Sequence, residues 1–126
     1  MRTLFIIAAA LLAIAVPATA FASRAPSHSE KVKLRKAVSS SKLVAKKIRK
    51  GGHFKLRNAR ISTAGPWARA AIVPTGVYSD PFDPAVGLFK RSHGKWSLKV
   101  VGTSGVGCHS PRAPRAVRTD LKLRCG

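Results

Sequence analysis

Residues that could do chemistry are few in this chain. Asp80 and Asp83 stand three apart in the loop "TGVYSDPFDP". A general acid and base pair would need a cleft that splits their pKa values. Turn formation by two Asp-Pro steps accounts for both residues more simply. A calcium site would want more oxygen ligands than two carboxylates. The four histidines, His28, His53, His93 and His109, show no zinc-finger spacing. "GTSGVG" lacks the Gly-Lys-Ser/Thr ending and the strand-to-helix setting of a phosphate loop. The expectation is therefore no catalytic residue, no metal ligand, no cofactor and no enzyme.

The positive charge is a different matter. The chain has 24 Lys and Arg against 4 Asp and Glu over 126 residues. The stretch "KLVAKKIRKGGHFKLR", Lys42 to Arg57, has no acidic residue. A charge run is usually a solvated face, but solubility asks for a net charge of only about 2–8 in a small domain. The anion-binding candidates are Lys42, Lys46, Lys47, Arg49, Lys50, Lys55, Arg57 and Arg60. Each cation set against a phosphate chain releases condensed counterions, so binding would be strong and salt-sensitive. Base reading by stacking is not expected, because Phe54 is the only aromatic residue among these cations.

Compartment follows from the first residues. Met1-Arg2, the apolar run Leu4 to Val16, Pro17 and the small residues up to Ala22 read as a signal peptide, 1–22. Thirteen apolar residues fall short of the ~20 that span a bilayer. Removing Arg2 leaves 23 basic residues against 4 acidic, a net charge of +19 for residues 23–126. These are expected to form one secreted α+β domain, a monomer. Export places Cys108 and Cys125 in an oxidising compartment, and one pair allows one connectivity. That disulfide would contribute roughly 3 kcal/mol.

The elements that must carry the charge can also be read. Ser27-His28-Ser29-Glu30 is a capping box, and a helix is predicted over about 28–39. Leu34, Ala37, Val38, Ser41, Val44, Ala45 and Ile48 share one helical arc, with Val32 and Leu43 off it. Ser39-Ser40-Ser41 interrupt, because serines compete for backbone hydrogen bonds. Two readings stay open: a helix ending there, or one running to Lys50 and capped by Gly51-Gly52. The basic helical segment is thus 23–52, and the sheet and stapled tail 53–126.

After the glycine pair the period becomes two. A strand from Phe54 slips phase at Asn58, which predicts a bulge. "WARAAIVP" is a second strand, ended by Pro74. "AVGLFKRSHGKWSLKVVG" is a hairpin turning at His93-Gly94, with Phe89 opposite Leu98 and Arg91 opposite Trp96. A short helix opening at Pro114 would dock Val117 and Leu121 on the sheet. Helix, four-stranded antiparallel meander and stapled tail make a cystatin-like outline. By that outline alone, the chain could also be an inhibitor of an extracellular hydrolase, docking through Val77, Tyr78 and Phe82 beside Asp80 and Asp83.

Residues from about 60 to 125 carry a further pattern: Ile61, Ser62, Trp67, Ala68, Trp96, Gly102, Thr103, Cys108, Val117, Leu121 and Cys125. It resembles a signature of small secreted proteins of actinomycete bacteria. The resemblance implies a compartment and a scaffold, and no particular reaction. The basic segment lies outside it. The reading reached is a secreted, non-enzymatic binder of polyanions: anionic cell-wall polymer, anionic lipid surface or nucleic acid without sequence preference. A protein partner is the alternative.

Overall fold

The computed structural model describes residues 22–79 and 85–125. The leader before Ala22 lies outside them, as do Asp80, Phe82 and Asp83 of the proposed inhibitor loop.

The first helix, α1, runs His28–Ser39. Its capping box is complete. The Glu30 N–H donates to Ser27 Oγ at 3.3 Å, and the Ser27 N–H donates to Glu30 Oε1 at 3.0 Å. Arg24 adds a two-pronged contact to the same carboxylate, both bonds at 2.7 Å. Three donated bonds hold the Glu30 carboxylate ionised, and its pKa falls to about 2, first through Arg24 and then through the Ser27 backbone. A depressed folded-state pKa contributes stability above the ordinary value, near 4.5. That contribution disappears as pH falls through the folded value. Glu30→Gln is therefore expected to cost about 1 kcal/mol at pH 7, a figure limited by solvent around Arg24. Urea denaturation should show the gap between wild type and variant closing between pH 4.5 and pH 2.

The serines end the helix. Ser39 Oγ donates back to the Arg35 carbonyl at 3.2 Å, and Ser41 Oγ accepts the Leu43 N–H at 3.1 Å. Local side-chain bonds of this kind compete with helix propagation. The chain resumes as one short turn, α2, Lys46–Arg49. Gly51 and Gly52 then take φ of +80° and +67°. The His53 N–H closes back on the Ile48 carbonyl at 3.0 Å, a left-handed cap on α2 rather than on a single long helix.

Four strands follow in meander order: β1 Phe54–Ile61, β2 Trp67–Pro74, β3 Ala85–Ser92 and β4 Lys95–Gly102. All neighbours are antiparallel. The β1–β2 register shifts between Arg57 and Arg60, with Asn58 at φ +51°, which is the bulge the phase slip predicts. His93 and Gly94 turn the hairpin at φ +51° and +73°. Phe89 faces Leu98 and Arg91 faces Trp96, the guanidinium 5.6 Å from the indole centroid. A second irregularity, absent from the sequence reading, lies between Leu88 and Phe89 and leaves Lys99 unpaired on β4.

That second bulge belongs with a sheet buried on both faces. Leu88 and Phe89 are adjacent and both fully buried. Phe89 joins Leu34, Val38, Phe54, Ile72 and Trp96 in the core under α1. Leu88 joins Trp67, Val106, Ala113, Val117 and Leu121 under the C-terminal tail. The tail carries α3, Arg115–Asp120, with Pro114 one place earlier than the sequence reading has it, as the cap rather than the first helical residue. Cys108 and Cys125 are bonded, their Cα atoms 5.5 Å apart. Two long-range polar links also hold the tail. Asp120 Oδ2 accepts the Ser62 hydroxyl at 2.7 Å and the Thr63 N–H at 2.8 Å, and Arg69 donates to the Leu121 carbonyl at 2.9 Å.

Candidate anion-binding surface

Ile48 positions the middle of the basic stretch. It packs against the core under α1, so its neighbours in a single helical turn are directed outward. Lys42, Lys46, Lys47 and Lys50 are exposed. Arg49 is half-buried, and its Nε has no hydrogen-bond partner among the described residues. Lys47 Nζ lies 5.6 Å from the Tyr78 ring centroid, and that ring meets His53 edge-on at 5.4 Å. These contacts set α2 beside the short 3-10 turn Gly76–Tyr78.

On β1 the pleat separates charge from core. Phe54 and Leu56 turn toward α1 and pack in its core, so Lys55 and Arg57 point the opposite way and are exposed. Arg60 is different. It stands opposite Arg69 in the ladder, and its guanidinium donates to Ser23 Oγ at 3.0 Å and to the Ser23 carbonyl. It ties down the segment before α1. Seven of the eight candidates thus fall into two groups, Lys42 to Lys50 and Lys55 with Arg57, joined through the two glycines; all seven but Arg49 are exposed, and Arg60 stands apart.

The structure brings in cations that the stretch does not contain. Lys31, Lys33 and Lys36 are exposed along α1. Arg35, also on α1, donates to the Phe54 carbonyl at 2.9 Å and the Gly52 carbonyl at 3.1 Å. Its guanidinium lies 4.5 Å from the Phe54 ring centroid. This residue orients β1 against α1. No signal in the sequence separates it from its lysine neighbours, because its partners are 17 and 19 positions away. A groove of about 560 Å³ between α1 and β4 adds Lys95 to the Lys33 and Lys36 flank.

Carboxylates are scarce around these cations. Among the described residues, the one ion pair is Arg24 with Glu30. The other described acid, Asp120, is buried beneath the tail. No group of three or more His, Cys, Asp or Glu among the described residues is placed to hold a metal ion. No described helix is long and apolar enough to cross a membrane.

Fold and surface together define an α+β domain: a helix on a four-stranded antiparallel meander, a tail stapled by one disulfide, and a cationic exterior. Neither family models, nor curated proteins, nor solved structures match the chain.

Proposed function

We propose that this is a secreted, non-enzymatic protein that binds anionic polymers at the cell envelope by electrostatics. The observation that carries the reading is that the exposed cations of α1, α2 and β1 have no carboxylate in ion-pairing reach among the described residues. A solvated face of an ordinary domain intersperses both signs. Among the described residues the exposed charge here is almost wholly of one sign, and a phosphate or carboxylate chain is the counterpart that neutralises it. The apolar leader and the resemblance to small secreted actinomycete proteins support export. Retention on heparin or phosphocellulose tests the reading. The protein should stay bound beyond about 0.3 M salt, and earlier elution contradicts it.

One observation favours the inhibitor reading. Val77, at the 3-10 turn, is 91% exposed. A hydrolase docked there by apolar contact stays bound in about 1 M salt, where electrostatic partners are released.

A further inference from the structure

The meander leaves two strand edges, β1 and β4. Part of the β1 edge is covered, because Arg24 exchanges two backbone bonds with Ile61, at 2.9 and 2.8 Å. No backbone bond among the described residues reaches the outer edge of β4.

Which β4 groups face outward follows from the hairpin. Residues flanking a two-residue turn, Ser92 and Lys95, exchange bonds with each other, and the next pair does not. The Arg91 N–H agrees with this alternation, because it points away from β4 to the Pro66 carbonyl at 2.8 Å. Its partner Trp96, and Leu98 two places on, therefore turn their N–H and C=O groups to the open edge. The α1–β4 groove lies along that edge. Lys33, Lys36 and Lys95 line it, Ala37, Trp96 and Leu98 supply apolar surface, and no carboxylate is among its walls.

We propose that this edge takes an extended acidic peptide as a fifth strand. A peptide offers donors and acceptors alternately, as the outward groups of Trp96 and Leu98 require. A phosphate polymer offers acceptors only and leaves both carbonyls without a partner. A second copy of this chain would set Lys95 and Lys99 near the same residues of its partner, and the bulge at Lys99 works against pairing over the full strand. Spacing also fits an acidic peptide. Alternate side chains of a strand repeat every ~6.6 Å. Lys33 and Lys36, three apart on α1, are separated by roughly 5–6 Å at Cβ. Glutamates at alternate positions on the α1 side would thus meet successive lysines.

The test uses a blocked octapeptide of alternating Glu and Thr, followed by amide hydrogen exchange of the whole protein. The peptide should slow exchange at the Trp96 and Leu98 N–H groups. N-methylation of its edge-facing residues should weaken binding about tenfold, the effect of losing two hydrogen bonds. Lys33→Glu with Lys36→Glu, both exposed positions, should weaken it at least as much. Equal binding of the N-methylated peptide overturns the proposal. So does equal protection of the two amides by sodium polyphosphate, which would mean a charge effect without strand addition. N-methylation changes backbone donors and no charge, so failure here is separable from failure of the polyanion reading, which salt elution measures.

Discussion

Asp120→Ala is expected to lower stability by about 3 kcal/mol and the thermal midpoint by more than about 10 °C. Asp120 is 6% exposed, and its Oδ2 gathers three donors from a segment almost 60 positions away. Truncation leaves the buried Ser62 hydroxyl and the Thr63 N–H without that acceptor. Stranded buried polar groups cost about 1–3 kcal/mol each. The Ser62 hydroxyl also accepts the Ala64 N–H at 3.1 Å, so losing its orientation loosens the turn between β1 and β2. Asp120→Asn keeps an acceptor oxygen at the same place and should recover about half the loss. Thermal unfolding followed by circular dichroism reads both variants. A change below about 1 kcal/mol for Asp120→Ala would show that the tail is held by the disulfide and apolar packing alone.

The loss should be local before it is global. The Asp120 link presses α3 onto the face that holds Trp67 and Leu88, while Trp96 lies in the other core under α1. Near-UV signals from Trp67 should therefore weaken at lower temperature than those from Trp96. The same division limits how far the tail can influence the cationic surface, since α2 rests on the α1 core through Ile48.

Signals that act within a few residues were legible in the sequence. Ser27 and Glu30 start α1 where the capping box places it. His93-Gly94 sets the hairpin register down to the Arg91–Trp96 pair, and Asn58 marks its bulge. Periodicity alone could not decide the end of α1, because Val44 and Ile48 keep the apolar phase after the helix has stopped. They reach the same core from a loop and a separate turn. The tethers were illegible for a different reason. Arg35 to Phe54, Asp120 to Ser62 and Arg60 to Ser23 each join distant residues whose types suit a solvated surface equally well. The α1–β4 groove is hidden in the same way, since Lys33 and Lys95 come together only when the meander closes.

The tethers also decide how the surface should be tested. Arg49 and Arg69 are poor sites for charge reversal, because one is half-buried and the other holds the tail by its Leu121 carbonyl. Lys42, Lys46, Lys47 and Lys50 are exposed and form no ion pair among the described residues. Lys99, Arg112, Arg115 and Arg124 are exposed as well and lie outside the basic stretch. Changing either set to glutamate lowers the net charge by the same amount, so the two variants separate local from diffuse attraction.

Each cation near a charged surface is worth about 1 kcal/mol, and reversal adds repulsion to the loss. The α2 set is expected to weaken binding to a polyphosphate chain by about a hundredfold or more at low salt. It should also reduce the slope of log affinity against log salt by about four. The scattered set is expected to cost less than about tenfold. Near-UV circular dichroism of Trp67 and Trp96 confirms that both variants fold before binding is compared. The deciding measurement is the affinity of wild type and both variants for polyphosphate across a salt series. A large loss and a shallower slope confined to the α2 set is the predicted result. Equal losses in two folded variants would contradict it and leave the stretch from Lys42 to Arg57 as a solvated face.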